Sequence, residues 1–282
     1  MNQSVIRAVG LLEHLAMLKG PASLKDLAGI AGLDKATAYR LLTSLREKNL
    51  VQRVDNNKYG LGPACVFFAE AFRDNFTIRE RFGPHVKKLV ELTGESAFYC
   101  ERFQENSCVT IERWESPNQT RTMSETGVVR PLYSGCSGQA ILAMLPEKEM
   151  QTAISGKPLV RYTRFSPTSI MQLRRKIIDT RRHGYAVSIQ ERTLFTSGVA
   201  APIFDHSSVI GSLGILGPNE RVQATGIEKI GQIVREIANK LSEELGFSPN
   251  NHSVYQSASG IWKDYSPTQK QRLKIGRRAK IG

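Results

Sequence analysis

The sequence predicts an α+β chain with a small helical domain, a short connecting helix and a longer mixed α/β domain. Residues 1–62 hold three apolar stretches at helical spacing and a turn-rich end. Residues 63–80 show a short aromatic-rich helical pattern. In residues 81–246, short β-like runs alternate with helical patterns. Residues 247–282 are polar and finally basic, and we expect them to form a disordered tail.

Length and composition are those of a globular protein. The 282 residues are 40% hydrophobic and 23% charged, which is enough apolar material to bury a core without disulfides or metals. The longest uncharged stretch, residues 131–146, is too short and too rich in Gly and Ser to span a bilayer. The first four residues do not resemble the start of a signal peptide. We therefore expect a cytoplasmic protein without membrane contact.

The charge balance indicates a polyanionic partner. Lys and Arg number 39 against 26 Asp and Glu, which gives a net charge of +13. Residues 249–282 contribute seven basic residues and one acidic residue. Such a tail either adds non-specific contacts to nucleic-acid phosphates or merely solubilises the chain, and the sequence favours neither alternative.

The first domain is predicted to contain a helix-turn-helix. Apolar residues between positions 5 and 15 form one helical stripe. Ser23 is a helix cap, with Asp26 at the capping-box position of a second, short helix. Gly32 suits the positive φ of a tight turn, and Asp34 caps a third helix. Two short helices joined by a Gly-containing turn are typical of a helix-turn-helix.

The third helix is the predicted recognition helix. Its core positions are Ala38, Leu41, Leu42 and Leu45. Its start and outer face then carry Lys35, Ala36, Thr37, Tyr39, Arg40 and Thr43. In a major groove, basic and hydroxyl side chains at such positions contact phosphates or guanine, and a small apolar one contacts a thymine methyl. The alternative is a three-helix packing module whose basic residues are merely solvated.

A β-hairpin is predicted to follow the recognition helix. Residues 50–54 and 58–61 alternate as two strands around the turn-prone tip at residues 55–57. This hairpin would be the wing of a winged helix-turn-helix. Arg53, Asn57 and Lys58 are its candidates for contact with the sugar-phosphate backbone.

The second domain is predicted as a sheet with helices. The β-like runs include residues 96–102 and 108–114, and the helical patterns lie at 82–93, 138–144 and 168–183. Thr225 and Glu228 have the spacing of a capping box for a last helix, which Gly246 ends.

Eight motifs, taken in order along the chain, resemble those of the IclR family of bacterial transcriptional regulators. They are AGLDKATAYRLL at 31–42, KYGLG at 58–62, ERWESP at 112–117, GVVRPLY at 127–133, SGQAILA at 137–143, GYA at 184–186, AAPIFD at 200–205 and GILGP at 214–218. The resemblance covers about residues 4–246. It implies a winged helix-turn-helix, a linker helix and a GAF-like α/β domain that binds a small effector. It also implies a homodimer, or a dimer of dimers, on a palindromic operator.

The linker is itself consistent with dimerisation. Residues 64–81 carry more apolar bulk on one helix than a lone linker needs. A partner chain would cover this surface, and the alternative is packing against the chain's own domains.

The resemblance also locates an effector pocket. By motif position its candidate residues are Gly135, Cys136, Ser137, Gly138, Ser188, Thr196, Gly198, Gly214 and Leu216. Several family members carry Cys or Ser where this chain has the last three. We therefore expect a roomier, more apolar cavity that takes an aromatic or otherwise bulky carboxylic acid. Its carboxylate would meet the N–H groups of 135–138 if a helix begins there. The alternative is that Gly198 and Gly214 only satisfy strand packing.

We expect no catalytic residue, cofactor or metal. The segment 135–138 resembles a nucleophile turn, but its spacing is one residue short of G-x-S-x-G and no His lies nearby. The four cysteines form no C-x-x-C pair, and the five histidines form no i, i+4 pair. The expected function is a ligand-responsive transcriptional regulator of a catabolic operon. An acid-processing enzyme with an oligomerising amino-terminal module, and a ligand-insensitive DNA binder, stay open.

Overall fold

The computed structural model describes residues 2–18, 20–54, 57–73, 76–122, 124–155 and 158–248. The chain divides into two compact units, and the boundary in sequence lies between Arg79 and Glu80. Residues 55 and 56 of the predicted wing tip lie outside the described residues, as does nearly all of the predicted tail, residues 249–282.

The first unit is a helix-turn-helix followed by a two-stranded hairpin. Its elements are α1 Gln3–Met17, α2 Leu24–Ile30, α3 Lys35–Glu47, β1 Val51–Val54, β2 Lys58–Leu61 and α4 Ala64–Arg73. Leu11, Leu27 and Leu42, one from each of the first three helices, are fully buried in one cluster. The apolar spacing therefore predicted these core positions correctly, but Val5 and Val9 of the predicted α1 stripe are exposed.

The predicted turn and the N-caps at Ser23 and Asp34 are confirmed, whereas Asp26, predicted at a capping-box position, accepts a hydrogen bond from the Ser23 hydroxyl. The Ser23 hydroxyl accepts a hydrogen bond from the Asp26 backbone N–H at 3.2 Å, and Asp34 Oδ1 accepts one from the Thr37 N–H at 2.9 Å. These bonds satisfy N–H groups that a helix start otherwise leaves unpaired. Gly32 has a φ of +62° in the turn between α2 and α3. This left-handed conformation favours glycine.

The linker helix predicted over residues 63–80 falls on two described helices, and residues 74 and 75 between them lie outside the described residues. The structure has α4 at Ala64–Arg73 and a second helix, α5, at Phe76–Thr93. The helix predicted to start at residue 82 therefore begins six residues earlier. Residues 64–82 contain neither Gly nor Pro, so the sequence gives no signal for a helix start at residue 82.

The second unit contains a six-stranded antiparallel sheet in the order β5-β4-β3-β8-β7-β6. Its strands are β3 Ser96–Phe103, β4 Ser107–Trp114, β5 Val129–Pro131, β6 Ala186–Ile189, β7 Thr196–Phe204 and β8 Val209–Pro218. Both faces of the sheet are covered, because the alternating neighbours Phe98 and Tyr99 are both buried. Phe82 of α5 stacks on Tyr99 with ring centroids 4.0 Å apart.

Helices complete the second unit. After α5 they are α6 Gly135–Ala143, α7 Glu147–Ile154, α8 Ile170–His183, α9 Asn219–Thr225 and α10 Ile227–Glu244. The short helices α7 and α9 were not predicted, since eight and seven residues give little periodicity.

The predicted capping box at Thr225 is wrong. Thr225 is the last residue of α9, and its hydroxyl donates to the Arg221 carbonyl at 2.9 Å. Gly226, with a φ of +94°, stands at the N-cap of α10 instead. The spacing of Thr225 and Glu228 matched a capping box, but the hydroxyl was already used by the preceding helix.

Candidate functional site

The first candidate site is the outer surface of α3. Ala38 and Leu42 face the core and are fully buried. The positions predicted to face DNA divide by exposure: Lys35, Ala36, Tyr39 and Arg40 are exposed, while Thr37 and Thr43 are half-buried. Two cations and two uncharged side chains thus project from consecutive turns of one helix.

Thr43 has a local partner that sequence reasoning missed. Its hydroxyl donates to the Tyr39 carbonyl one turn earlier, at 2.9 Å. A threonine in a helix often makes this bond. The proton that Thr43 would give to a phosphate is therefore used inside the helix, and contact with DNA requires a rotamer change.

The second part of this surface is the hairpin. Its strands pair from Val51 opposite Leu61 to Val54 opposite Lys58. Tyr59 exchanges backbone hydrogen bonds of 2.9 and 2.8 Å with Ala22, which fixes the hairpin to the segment before α2.

The three predicted wing residues are all exposed. Arg53 lies over the Tyr59 ring, with 5.5 Å from guanidinium carbon to ring centroid, and one of its nitrogens donates to the phenol oxygen at 3.3 Å. Asn57 has a φ of +62° beside the tip, and Lys58 opens β2. The hairpin thus presents two cations on a rigid base.

The second candidate site is a cavity in the second unit with a volume of about 90 Å³. It lies at the start of α6 beside β6, β7 and β8. Seven of the nine sequence-predicted pocket residues line it: Gly135, Cys136, Ser137, Ser188, Thr196, Gly198 and Leu216. The lining residues that sequence reasoning missed are Phe98, Thr122, Ser124, Arg130, Ser134, Arg192 and Thr193.

Strand register explains which residues meet at the cavity. Gly198 of β7 lies opposite both Ser188 of β6 and Leu216 of β8. Directly opposed residues point to the same face of a sheet, so these three form one row across it. A Cβ on Gly198 would come within 2.8 Å of the Cys136 sulfur, which shows how closely α6 approaches this row.

Gly138 and Gly214 do not line the cavity. A Cβ on Gly138 would lie 2.6 Å from the Leu132 carbonyl, and one on Gly214 would lie 2.4 Å from the Val199 carbonyl. Both glycines therefore permit close backbone packing, which for Gly214 is the alternative weighed from the sequence.

The amino terminus of α6 opens at the cavity. Gly135 and Cys136 are its first residues, and Ser134 at the N-cap makes no side-chain capping bond. The first turn contains no acidic side chain. Its N–H groups are not satisfied within the helix, and they and the helix dipole favour an anion at this end.

Cys136 is not an activated nucleophile. Burial, together with the nearby Cys100 and Glu191, raises its pKa from 9.0 to about 12. The thiolate fraction at pH 7 is then on the order of one in 10⁵. The residues that line the cavity include no histidine.

Two arginines give the cavity its charge. Arg130 Nη1 donates to Thr110 Oγ1 at 3.2 Å and to Ser124 Oγ at 2.8 Å. Arg192 Nη1 donates to Ser134 Oγ at 3.0 Å. The expectation of an apolar cavity is therefore correct for only one wall, which contains Phe98 and Leu216. Arg130 stood inside a quoted family motif, so its charge was the signal that could have revealed it.

Glu191, the carboxylate next to Arg192 in sequence, is buried and engaged elsewhere. It accepts a hydrogen bond from Gln139 Nε2 at 2.8 Å and forms an ion pair with Lys176. Its charge is thus matched by the lysine and not by the cavity arginines.

Two other kinds of site are absent from the part of the chain that the structure describes. No group of three or more His, Cys, Asp or Glu side chains has an arrangement that suits a metal ion there. Among the same residues, no helix is both long and apolar enough to cross a membrane.

Family comparisons match both units. The model for the IclR helix-turn-helix domain matches residues 4–55, and the model for the bacterial transcriptional regulator IclR C-terminal domain matches residues 71–243.

Named relatives agree with this match. The HTH-type transcriptional regulator KipR of Bacillus subtilis is 26% identical over 248 residues, which cover 88% of this chain and 98% of KipR. The transcriptional repressor IclR of Escherichia coli is 26% identical and covers 86% of this chain and 90% of its own length. The structure of an IclR regulator from Silicibacter sp. TM1040 has a TM-score of 0.76 and 28% identity, with 87% of this chain and 97% of that chain covered.

The chain thus has a winged helix-turn-helix followed by an α/β domain. This arrangement is that of DNA-binding transcriptional regulators with an effector-binding domain. The chain belongs to the IclR family of bacterial transcriptional regulators.

Proposed function

We propose that the protein is a dimeric, ligand-responsive transcriptional regulator of a catabolic operon that acts in the cytoplasm. The observation that carries the proposal is the exposure of four cations in the first unit, Lys35 and Arg40 on α3 and Arg53 and Lys58 on the hairpin. Two copies of α3 would enter successive major grooves of a palindromic operator, and the hairpins would contact the flanking phosphates.

Dimerisation is supported by the surface of α4. This ten-residue helix has no buried residue, and Val66, Phe67, Phe68 and Phe72 are between 45% and 69% exposed. Contiguous exposed aromatic side chains of this kind mark protein–protein contacts. A homodimer, or a dimer of dimers, would bury them. Sedimentation analysis tests this. We expect the wild type to sediment as a dimer and the Phe67→Glu protein to sediment as a monomer.

The cavity at the start of α6 would hold the effector, a small carboxylic acid of the aromatic class. The helix terminus and the arginines suit a carboxylate, and the wall of Phe98 and Leu216 suits an apolar body. An IclR homologue from Microbacterium hydrocarbonoxydans, whose structure has a TM-score of 0.66 and 22% identity to this chain, was crystallised with 4-hydroxybenzoate. That compound belongs in the test panel.

The enzyme alternative has weaker support. Its nucleophile would be Cys136 or Ser137, but the Cys136 thiol stays protonated at neutral pH and no histidine lines the cavity. Incubation of pure protein with each acid of the panel tests it directly. We expect every acid to be recovered unchanged, and consumption of any of them would favour the enzyme.

The experiment for the proposed function measures binding to DNA from upstream of the protein's own gene. Arg40→Ala should lose affinity for this DNA, while Arg46→Ala, a matched change in the last turn of the same helix, should keep it. Equal affinities for both variants would contradict the assignment of α3 as the recognition helix.

A further inference from the structure

The cavity holds two guanidinium groups that no carboxylate neutralises. Among the described residues neither Arg130 nor Arg192 takes part in an ion pair, and the cavity lining contains no Asp or Glu. Their hydrogen bonds go to neutral hydroxyls of Thr110, Ser124 and Ser134. Each arginine is permanently charged and carries five N–H donors.

Arg130 also has a donor with nothing to bind. Its Nε is fully buried and has no hydrogen-bond acceptor within the described part of the chain. Buried polar atoms without a partner are rare in native proteins and call for an explanation such as a ligand. This atom belongs to a residue that lines the cavity, and because Nε itself is buried, a bound acceptor would contact another nitrogen of the same guanidinium.

The two arginines are held at separate places. Arg130 is fixed by hydroxyls on β4 and on the segment before β5, at Thr110 and Ser124. Arg192 is fixed at the N-cap of α6, and its guanidinium carbon lies 4.4 Å from the Tyr162 ring centroid. Different partners therefore orient the two side chains, and both residues line the cavity.

Two half-buried positive charges that line one small cavity without counterions repel each other and lose part of their hydration. The amino terminus of α6 adds a partial positive charge to the same small space. One carboxylate neutralises only one of the two guanidinium groups, whereas two carboxylates on one molecule neutralise both.

We propose that the effector is a small dicarboxylic acid, with one carboxylate on Arg130 and the other on Arg192 and the first N–H groups of α6. The proposal rests on the assignment of this cavity as the effector site. The apolar wall of Phe98 and Leu216 would contact the carbon body between the two acid groups. Arg130 and Arg192 are then the residues that distinguish diacids from monoacids.

Calorimetric titration of the full-length protein tests this with matched acids, namely isophthalate against benzoate and glutarate against pentanoate, in a chloride buffer. We expect the diacid of at least one pair to bind ten times more tightly or better. Equal binding within both pairs, or no binding by either diacid, would overturn the proposal. Inorganic phosphate is a further probe, and phosphate binding as tight as that of the better diacid would also overturn it.

Three variants separate recognition from folding. The affinity of the Arg130→Gln protein for the better diacid should fall to its affinity for the matched monoacid. Its affinity for the monoacid should equal that of the wild type. Arg174→Gln, on the exposed face of α8, is the matched control and should leave the preference unchanged. A diacid preference that survives both Arg130→Gln and Arg192→Gln would contradict the proposal, and the wild-type comparison decides it even if a variant misfolds.

DNA binding measured on the same samples separates the two proposals. If the diacid binds through both arginines but leaves the affinity for upstream DNA unchanged, the sensor function fails and the ligand class stands. If a monoacid binds equally well and changes the DNA affinity, the ligand class fails and the sensor function stands.

Discussion

The two units of the chain display positive charge in opposite ways. In the first unit, Lys35 and Arg40 project into solvent from one helix. In the second unit, Arg130 and Arg192 line a cavity of about 90 Å³. Exposed cations stay hydrated and need no fixed partner, whereas half-buried cations that share a cavity lose part of their hydration and gain more from a bound anion. The first arrangement suits an extended polyanion that binds from outside, and the second suits a small anion that is taken in.

The largest expected effect concerns an ion pair that joins distant parts of the second unit. Glu95, which is 1% exposed, accepts hydrogen bonds from Arg221, 126 residues away. Arg221→Ala leaves this carboxylate buried without a counter-charge. Because Arg221 is one-third exposed, we take the lower end of the usual range and expect a loss of about 3 kcal/mol in unfolding free energy.

Urea denaturation measures this loss. Arg174→Ala is the matched control, since Arg174 and Glu147 form a solvent-exposed pair with a 3.8 Å separation. It should change stability by less than about 0.5 kcal/mol. A similar small change for Arg221→Ala would show that the pair does not hold the second unit together.

Two glycines sharpen the distinction between packing and cavity residues. Gly214→Ala pushes a methyl group against backbone atoms of Val199 and Ala200, and we expect a destabilisation of about 2–3 kcal/mol. In Gly198→Ala the two nearest atoms are side-chain ends of Leu216 and Cys136, so the expected loss is smaller. Thermal melting compares the stability of the two variants. A lower melting temperature for Gly198→Ala than for Gly214→Ala would contradict the assignment of Gly214 to close packing and Gly198 to the cavity.

For the first unit, Arg40→Ala should weaken binding to upstream DNA by about 1–3 kcal/mol, or roughly 5- to 150-fold, through loss of a groove contact. The fold should not change, because Arg40 is exposed. Fluorescence anisotropy measures the DNA affinity. In a separate titration, the variant should bind the tightest-binding acid with the same affinity as the wild type. A simultaneous loss of acid affinity would mean that the variant disturbs more than the DNA-facing surface.

The smallest expected effect concerns the reactivity of a cysteine thiol. Cys136 should resist alkylation by iodoacetamide at pH 8, because burial raises its pKa to about 12. Cys65, which is half-buried beside the Leu50 carbonyl, is the internal control and should react first. Peptide mass spectrometry locates the label. Early modification of Cys136 would show that its thiol is both accessible and activated.

Sequence reasoning predicted the first unit well because its site is local. The caps at Ser23 and Asp34 and the turn at Gly32 follow from neighbouring residues alone. The exposed face of α3 follows from helical period. The exception is Thr43, whose hydroxyl is bonded one turn back, and side-chain rotamers are not encoded in the spacing of apolar residues.

The cavity was predicted less completely because it depends on long-range register. The row of Ser188, Gly198 and Leu216 exists only once β6, β7 and β8 are paired. Gly214 lies two residues from Leu216 on the same strand but opposite Ala200, where close packing leaves no cavity. Arg130 belongs to a loop-flanked edge strand, and no periodic pattern indicates which way such a side chain turns.

The central claim is that acid binding in the second unit and DNA binding by the first are coupled. The direct measurement is the affinity of full-length protein for upstream DNA with and without a saturating acid, repeated as acid affinity with and without DNA. We predict that each ligand changes the affinity of the other by the same factor, of about 5-fold or more. An acid that binds the protein but leaves the DNA affinity unchanged would contradict the claim.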